Sequence, residues 1–176
     1  VVGPNGSGKS TLFKVIAGII QPEHGQVDLF GSAPQRHICV AYVPQRSLVD
    51  WAFPVNVYDV VMMGRVGRLG LLRWPGKRDH EMVEACLHEV GMQGLAKRQI
   101  GELSGGQQQR VFIARALAQE ADLVLLDEPM TGLDISSQQD LYGVLDKLRQ
   151  RHVTVLLSTH DLNQAAECFD RVLLLN

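Results

Sequence analysis

The first eleven residues contain a pattern whose residue types suit phosphate binding. The pattern reads Gly-x-x-x-x-Gly-Lys-Ser/Thr and comprises Gly3, Pro4, Asn5, Gly6, Ser7, Gly8, Lys9, Ser10 and Thr11. Its glycines let the backbone turn tightly and bring N–H groups against a phosphate. Lys9 supplies a positive charge for the outer phosphates, and Ser10 supplies a hydroxyl that can ligate Mg²⁺. The pattern therefore predicts a nucleotide-binding loop.

Two adjacent carboxylates, Asp127 and Glu128, follow an apolar run at residues 123–126. Because successive residues of a strand point in opposite directions, one carboxylate can hold Mg²⁺ while the other faces an attacking water. We assign Asp127 to the metal and Glu128 to the water, as a general base whose contribution is typically about 10²–10⁴ in rate. The alternative is an exposed acidic turn without chemistry.

Gln45 and His160 each follow another predicted strand. The amide of Gln45 could ligate Mg²⁺, orient water and report the nucleotide state to the segment that follows it. The imidazole of His160 could donate a hydrogen bond to the γ-phosphate or to the catalytic water. Taken singly, Gln45 is typical of a solvated loop and His160 of a structural histidine. The carboxyl ends of parallel strands meet at one edge, so these residues are predicted to share one site with the loop.

A second motif, Leu-Ser-Gly-Gly-Gln, occupies residues 103–107. Ser104 could cap a helix, while Gly105 and Gly106 leave the first N–H groups of that helix exposed beside Gln107. Such a helix start is a second anion site. Since one nucleotide does not need two such loops, we expect a head-to-tail dimer. In it, residues 104–107 of one copy close over the γ-phosphate held by Lys9 of the other, and two ATP molecules are enclosed.

The elements around these motifs alternate between apolar strands and amphipathic helices. Strands are predicted at residues 27–31, 38–43, 123–126, 153–157 and 172–175, and helices are predicted to begin near Ser10, Pro54, Asp79 and Gln107. This alternation predicts the α/β class, with a P-loop nucleotide-binding core, a mostly parallel sheet and an inserted α-helical subdomain. The core comprises residues 1–45 and 119–176, and the insertion comprises residues 46–118.

Composition limits the class of protein. The chain has 176 residues, a net charge of −2 and a pI of about 6.3, so it lacks the basic character of a nucleic-acid binder. No apolar run approaches the ~18 residues of a membrane span. Cys39, Cys86 and Cys168 are far apart, which favours reduced core thiols in a cytosolic protein. Val1-Val2 and the final strand are interpreted as cut elements, so a fragment truncated at both ends is expected.

The motifs stand in the order of those in the ATP-binding subunits of ABC transporters, and the chain resembles that family over its whole length. The segments that carry the resemblance are residues 3–11, Gln45, residues 103–107, residues 123–128, Gly132-Leu133-Asp134 and His160. The resemblance implies an ATPase coupled to transport, with ATP and Mg²⁺ as ligands and the roles of Walker A, Q-loop, signature, Walker B, D-loop and H-loop. It also implies an adenine-stacking aromatic residue upstream, which has no counterpart here.

Residues 50–55 and 60–65 resemble the bacterial importers of manganese, zinc or iron. This finer resemblance implies a subunit at the cytoplasmic face of the cell membrane, with a permease helix docked near residues 45–74. We expect the docking surface between Trp51 and Trp74 to include Arg65, Arg68 and Arg73; the alternative is a solvated basic loop over core aromatics. Scattered histidines are not expected to bind the metal: His24, His37, His80, His88 and His152.

Two other functions remain open on the sequence. One is a soluble ABC ATPase that acts on nucleic acid or ribosomes. Such relatives usually carry tandem cassettes, a coiled-coil insertion or cysteine clusters. The sequence shows none of these features. The other is a non-catalytic, nucleotide-gated interaction module, against which Glu128 and His160 argue.

Overall fold

The centre of the structure is a parallel three-stranded sheet, seen in a computed structural model that describes residues 1–31, 39–69 and 73–176. The strands are β1 (Val40–Val43), β2 (Leu123–Asp127) and β3 (Thr154–Ser158), and their order is β1-β2-β3. Beyond β3 the sheet continues through single bridges, in which Val2 pairs with Thr159 and with Leu174. The carboxyl ends of all these segments therefore meet at one edge.

Helices make up most of the remaining described residues. The α-helices are α1 (Lys9–Ile16), α2 (Val57–Met62), α3 (Val66–Leu69), α4 (Lys77–Glu89), α5 (Gly105–Ala118), α6 (Ile135–Gln150) and α7 (Leu162–Cys168). Short 3₁₀ turns lie at Arg46–Leu48, Met63–Arg65, Gln93–Leu95 and Ile100–Glu102. In the described parts of residues 46–118 all regular elements are helical. The exact domain boundaries stay a prediction.

Strand β2 is buried along its whole length because helices cover both faces of the sheet. Leu123 and Leu125 pack with Phe13 of α1 on one face. Val124 and Leu126 belong to the larger core on the other face, to which α2, α4, α5 and α6 contribute. A strand covered on both sides must be apolar at every position, which explains the continuous run in the sequence. The predicted α/β class with a parallel sheet is confirmed.

Two predicted strands do not form. In residues 27–31 only Leu29 occupies a bridge position, because Phe30 and Gly31 adopt left-handed φ values of 49° and 78° that end the extended backbone. In residues 172–175 only Leu174 is bridged, and among the described residues its segment exchanges backbone hydrogen bonds with Val2. The strand predicted at 38–43 begins at Val40, and Ile38 lies outside the described residues, as does His37.

Two helix starts also differ from the sequence prediction. Helix α2 begins at Val57 rather than at Pro54, because the Asn56 side chain accepts a hydrogen bond from the Asp59 N–H at 2.8 Å and so caps the helix. Helix α4 begins at Lys77, ahead of Asp79, whose carboxylate accepts a hydrogen bond from the Gly76 N–H at 3.0 Å. Asp79 therefore stabilises this helix start from inside the first turn.

The three cysteines have different surroundings. Cys86 lies in the core, and burial raises the pKa of its thiol to about 11. Cys39 is half-buried, and Cys168 is exposed. The expectation of core thiols is thus right for Cys86 and wrong for Cys168. Among the described residues no helix has the length and apolarity that crossing a bilayer requires.

Arg65 is buried in an ion cluster, which corrects its predicted place on a docking surface. Its side chain is 5% exposed and donates hydrogen bonds to Asp79 at 2.9 Å and to Glu120 at 2.7 Å. It also donates to the Ala118 carbonyl at 2.8 Å, so it joins the start of α4 to the end of α5. The guanidinium of Arg68, which is half-exposed, pairs with Glu120 as well. Arg65 therefore stabilises the packing of the helices.

Replacing Arg65 by Lys should lower the free energy of unfolding by about 1–2 kcal/mol, because a single ammonium cannot donate to both carboxylates and the carbonyl. The hydrogen bond from Gly76 and, to a smaller extent, the one from Arg65 lower the pKa of Asp79. The hydrogen bond from Arg65 also lowers the pKa of Glu120. Their stabilisation is complete above the unfolded pKa of about 4 and is lost as pH falls through the lower folded values. Urea titrations should therefore show a wild-type advantage that narrows between about pH 5 and pH 3; a constant difference would contradict the assignment.

Candidate functional site

The glycine-rich loop turns back tightly before α1. Gly6 and Gly8 adopt left-handed φ values of 87° and 90°, and Gly8 is the N-cap residue that directly precedes α1. At Gly3 a Cβ would lie 2.4 Å from the Leu175 carbonyl oxygen, so a side chain would not fit there. The free N–H groups at the start of α1 can bind an anion, as the sequence pattern predicts.

Lys9 is folded onto the loop that precedes it. Its ammonium donates hydrogen bonds to the carbonyls of Gly3 at 2.9 Å and Pro4 at 2.8 Å, and it lies 3.7 Å from Glu128 Oε1. The side chain is only 4% exposed. A buried cation held by neutral carbonyls and one carboxylate can turn toward an arriving phosphate, since the phosphate supplies stronger acceptors.

Asp127 is the last residue of β2, and both of its carboxylate oxygens accept hydrogen bonds from neighbouring strands. Tyr42 of β1 donates at 3.2 Å, and Ser158 of β3 donates at 2.7 Å. Burial raises the pKa of Tyr42 to about 12, and the charge of Asp127 adds to the effect, so the phenol remains a donor. Asp127 is 1% exposed and has a fixed orientation.

Glu128 leaves the strand with a left-handed φ of 47°, an uncommon conformation for a residue with a side chain. Its N–H donates to the Ser158 hydroxyl at 2.8 Å. Its Oε2 accepts hydrogen bonds from the Gln45 amide and from the Thr131 hydroxyl, each at 3.3 Å. The two adjacent carboxylates therefore have separate surroundings, and Glu128 faces the side on which Lys9 and Gln45 lie.

A cleft of about 290 Å³ opens beside Glu128. Its lining residues are Gln45, Arg46, Ser47, Trp51, Glu128 and Thr131. The cleft thus joins the end of β1 to the end of β2 at the carboxyl edge of the sheet. That edge is where open parallel sheets bind ligands.

Two of the predicted site residues have few contacts with this group. Ser10 is half-buried in the first turn of α1, next to Lys9. His160 is exposed in the bend after β3, and no hydrogen bond joins it to another described residue. His160 lies at the same edge of the sheet as Gln45 and Glu128.

The second glycine motif stands at the start of α5. Ser104 caps this helix: its hydroxyl accepts from the Gln107 N–H at 3.4 Å, and the Gln107 side chain accepts from the Ser104 N–H at 3.0 Å. A Cβ at Gly106 would lie 2.5 Å from the Ser137 hydroxyl, so α5 and α6 approach closely here. No hydrogen bond between described residues joins 104–107 to 3–11.

The donor set fits a hard divalent cation. Ser10 offers a hydroxyl, Gln45 an amide and Asp127 a carboxylate, and these oxygen donors suit Mg²⁺. Within the described part of the chain no three His, Cys, Asp or Glu side chains form a metal cluster. A site with few protein ligands is what Mg²⁺ needs when phosphate oxygens and water complete its coordination.

Sequence reasoning did not assign roles to Tyr42, Ser158 and Thr131. The parallel register places Ser158 opposite Asp127, and Tyr42 is the polar-tipped residue of an otherwise apolar β1. The sequence did offer a signal for these two residues, because β1 and β3, the neighbours of β2, each carry a polar side chain that can reach Asp127. Thr131 gave no signal, because its contact depends on the turn after Glu128.

Relatives among characterised proteins align with the whole chain. The zinc transport system ATP-binding protein TroB of Treponema pallidum is 52% identical, and the chain covers 66% of its length. The manganese transport system ATP-binding proteins MntA of Synechocystis and MntB of Bacillus subtilis are 51% and 49% identical, with 69% and 71% of their lengths covered. The chain thus spans about two thirds of these relatives.

Solved structures match the same fold. An ABC transporter assigned to the metal-chelate type, in an inward-facing conformation, has a TM-score of 0.89 and 35% identity; 99% of this chain and 66% of that one are covered. A dimeric bacterial ABC transporter cassette has a TM-score of 0.82 and 28% identity, with 99% and 78% covered. The sequence pattern of the family described as ABC transporter matches residues 1–131. By its motifs, its fold and this match, the chain belongs to the ABC transporter family.

Proposed function

We propose that the chain is the ATP-hydrolysing subunit of a membrane importer for a transition metal ion, working at the cytoplasmic face of the cell membrane. One observation carries the ATPase part: Lys9 and Gln45, which come from two separate segments, each contact Glu128 at the carboxyl edge of the sheet. The names of the relatives, which refer to zinc and manganese transport, support the choice of cargo.

The chemistry follows from the positions of these side chains. The N–H groups at the start of α1 bind the phosphates of ATP, and Lys9 exchanges the Gly3 and Pro4 carbonyls for phosphate oxygens. Glu128 accepts a proton from the attacking water, while Gln45 and Thr131 hold its carboxylate in one orientation. His160, exposed at the same edge, donates a hydrogen bond to the γ-phosphate.

Ser10, Gln45 and Asp127 would hold Mg²⁺ beside the phosphates. When bound, the ion neutralises the charge that develops on the phosphate oxygens. The protein's contribution is the fixed orientation of Asp127, which the hydroxyls of Tyr42 and Ser158 provide. Outer-shell partners of this kind set metal affinity because they orient the ligand.

Replacing Tyr42 by Phe removes one of those hydroxyls and leaves the ring. We expect the Mg²⁺ concentration for half-maximal ATP hydrolysis to rise about 10-fold, a usual effect of losing an outer-shell partner. The matched control is Tyr58→Phe, since Tyr58 contacts His80 at the protein surface. A titration of ATPase rate against Mg²⁺ measures both variants. An unchanged Mg²⁺ requirement in Tyr42→Phe would contradict the role of the phenol.

A second copy of the chain completes the site in this proposal. Ser104 is exposed, and the first N–H groups of α5 have no described acceptor other than the Ser104 cap. In the dimer, the N–H groups of residues 104–107 of one copy bind the γ-phosphate that Lys9 of the other copy holds. The solved dimeric cassette with the same fold supports such an arrangement.

The permease docks beside Gln45. Large apolar side chains in the segment that follows this residue are exposed, namely Leu48 (63%), Phe53 (58%), Met63 (47%), Val66 (61%) and Trp74 (92%). Arg68 and Arg73 add positive charge, whereas Trp51 packs edge-on against Phe112 and is half-buried. Exposed apolar surface of this extent favours a protein partner. Residues 70–72 of the proposed surface lie outside the described residues.

Metal accumulation in cells tests the cargo. We expect deletion of the gene to abolish high-affinity uptake of manganese, zinc or iron, and expression of the wild-type protein to restore it. A Lys9→Ala variant, which cannot hold the outer phosphates, should fail to restore uptake although it is produced at the same level. Unchanged uptake of all three ions in the deletion strain would overturn the proposal of metal import.

A further inference from the structure

Arg46 follows Gln45 directly and contacts a different part of the chain. The Gln45 amide donates to Glu128, whereas the Arg46 guanidinium donates to Gln108 of α5 at 2.9 Å. We propose that Arg46 is a positioning residue, which couples the nucleotide-binding edge of its own copy to residues 104–107, where the partner's nucleotide is bound. The proposal rests on the proposed ATP-dependent dimer and names the residue through which the two sites communicate.

Gln108 is buried, and both ends of its amide make hydrogen bonds. It is 3% exposed, its oxygen accepts from Arg46, and its nitrogen donates to the Ile100 carbonyl at 3.2 Å. Its backbone N–H donates to the Ser104 carbonyl at 2.9 Å in the first turn of α5. A buried amide that loses one partner is destabilised, so Arg46 and the first turn of α5 favour one joint arrangement.

The guanidinium also packs directly against the glycine motif. A Cβ at Gly105 would lie 2.9 Å from an Arg46 terminal nitrogen, so the guanidinium lies directly beside this glycine. Because the two groups are in van der Waals contact, a shift of Arg46 changes the space available to the start of α5. Arg46 therefore limits where residues 104–107 can lie.

Trp51 provides a second contact between the segment 45–51 and α5, in addition to that of Arg46 with Gln108. Its indole N–H donates to the Arg46 carbonyl at 2.9 Å, and the Arg46 guanidinium lies 5.9 Å from the centre of the indole ring. The ring meets Phe112 of α5 edge-on, at 5.4 Å between centroids. Residues 45–51 thus contact α5 through both Gln108 and Phe112, and the segment can transmit a displacement as a unit.

The coupling begins at Gln45. Its bond to Glu128, at 3.3 Å, joins residues that nucleotide and water contact in the proposed mechanism. A nucleotide that displaces Gln45 from Glu128 moves the backbone of Arg46 as well, since the residues are adjacent. The motion reaches α5 through the Gln108 hydrogen bond and the Gly105 contact. ATP bound in one copy thereby prepares that copy's residues 104–107 for the other nucleotide.

Dimerisation of the purified protein, compared with ATP binding by the monomer, tests the proposal. Arg46→Met keeps most of the side-chain length but removes the donor. We expect monomer affinity for ATP to stay within about twofold, whereas ATP-dependent dimerisation weakens at least about fivefold, the lower range of coupling between sites. Arg46→Lys, which can still donate to Gln108, should restore most of the difference. Circular dichroism confirms that the variants are folded.

A double-mutant cycle with Gln108→Met identifies the contact that transmits the effect. The double variant should dimerise no more weakly than Gln108→Met alone, because that substitution already removes the Arg46 contact, together with the bond to the Ile100 carbonyl. Arg149→Met is the matched control, since Arg149 forms an exposed ion pair on α6 and should not alter dimerisation. Equal dimerisation by wild type and Arg46→Met would overturn the inference alone. A protein that dimerises with ATP but restores no metal uptake would overturn the proposed cargo alone.

Discussion

Replacing Glu128 by Gln should lower the rate of ATP hydrolysis by about 10²–10⁴ while ATP binding is retained, because the amide cannot accept the proton of the attacking water. The substitution preserves the shape of the side chain, and its oxygen can still accept from Gln45 and Thr131. It removes the negative charge 3.7 Å from Lys9, so the ammonium is freer to turn toward the phosphates. ATP should then accumulate in a closed dimer that does not turn over.

Single-turnover phosphate release and light scattering with ATP measure these two effects. Glu81→Gln is the control for loss of one carboxylate, since Glu81 is exposed and its ion pair within the described part of the chain is with Lys77, one helical turn away. Its rate should equal that of wild type. Hydrolysis by Glu128→Gln at a rate near that of wild type would contradict the general-base assignment and point to another acceptor for the proton.

Replacing Ser104 by Arg should block ATP-dependent dimerisation and leave nucleotide binding by the monomer intact. The new side chain places bulk and charge where the partner's nucleotide is expected, and losses at the centre of an interface are commonly about 2 kcal/mol or more. Loss of the helix cap adds about 1 kcal/mol of destabilisation of α5. Turnover should fall together with dimerisation, because in the proposed dimer each site includes residues of both copies.

Two further variants separate these causes. Ser104→Thr keeps a hydroxyl that can cap α5, so it should still dimerise. Gln150→Arg adds the same charge at the exposed end of α6 and should have no effect. Sedimentation in the presence of ATP, with turnover suppressed by Glu128→Gln, resolves monomer from dimer. If Ser104→Arg dimerises normally, residues 104–107 do not complete the partner's site.

The sequence predicts structure most reliably at positions where the backbone conformation or complete burial restricts which residue types are possible. The tight turn at Gly6 and Gly8 was predicted from the glycine-rich pattern, and both residues have left-handed φ values. Strand β2 was predicted from a continuous apolar run, which is typical of a strand that is covered on both faces. The outer strands were predicted poorly. An apolar pattern such as residues 27–31 does not reveal where the backbone turns left-handed, so only Leu29 is bridged there.

Side-chain partners across the sheet were beyond sequence reasoning. The carboxylates Asp127 and Glu128 were identified as chemical groups, but the hydroxyls that orient them lie 85 and 31 residues from Asp127 along the chain. Their approach depends on the order and register of the strands, which no local pattern contains. Arg65 illustrates the converse, because this arginine of a basic segment is buried by two acidic partners, one in α4 and one in the turn after α5.

Ser158 makes the two acidic residues depend on one hydroxyl group. Its single hydroxyl donates to Asp127 and accepts from the Glu128 N–H, so one atom on β3 orients both acidic residues. A pairing of β3 shifted by one residue would present Leu157 or Thr159 instead and would disturb both carboxylates together. Such a slip would therefore remove the proposed metal ligand and the proposed general base in the same event, so the two roles depend on a single strand register.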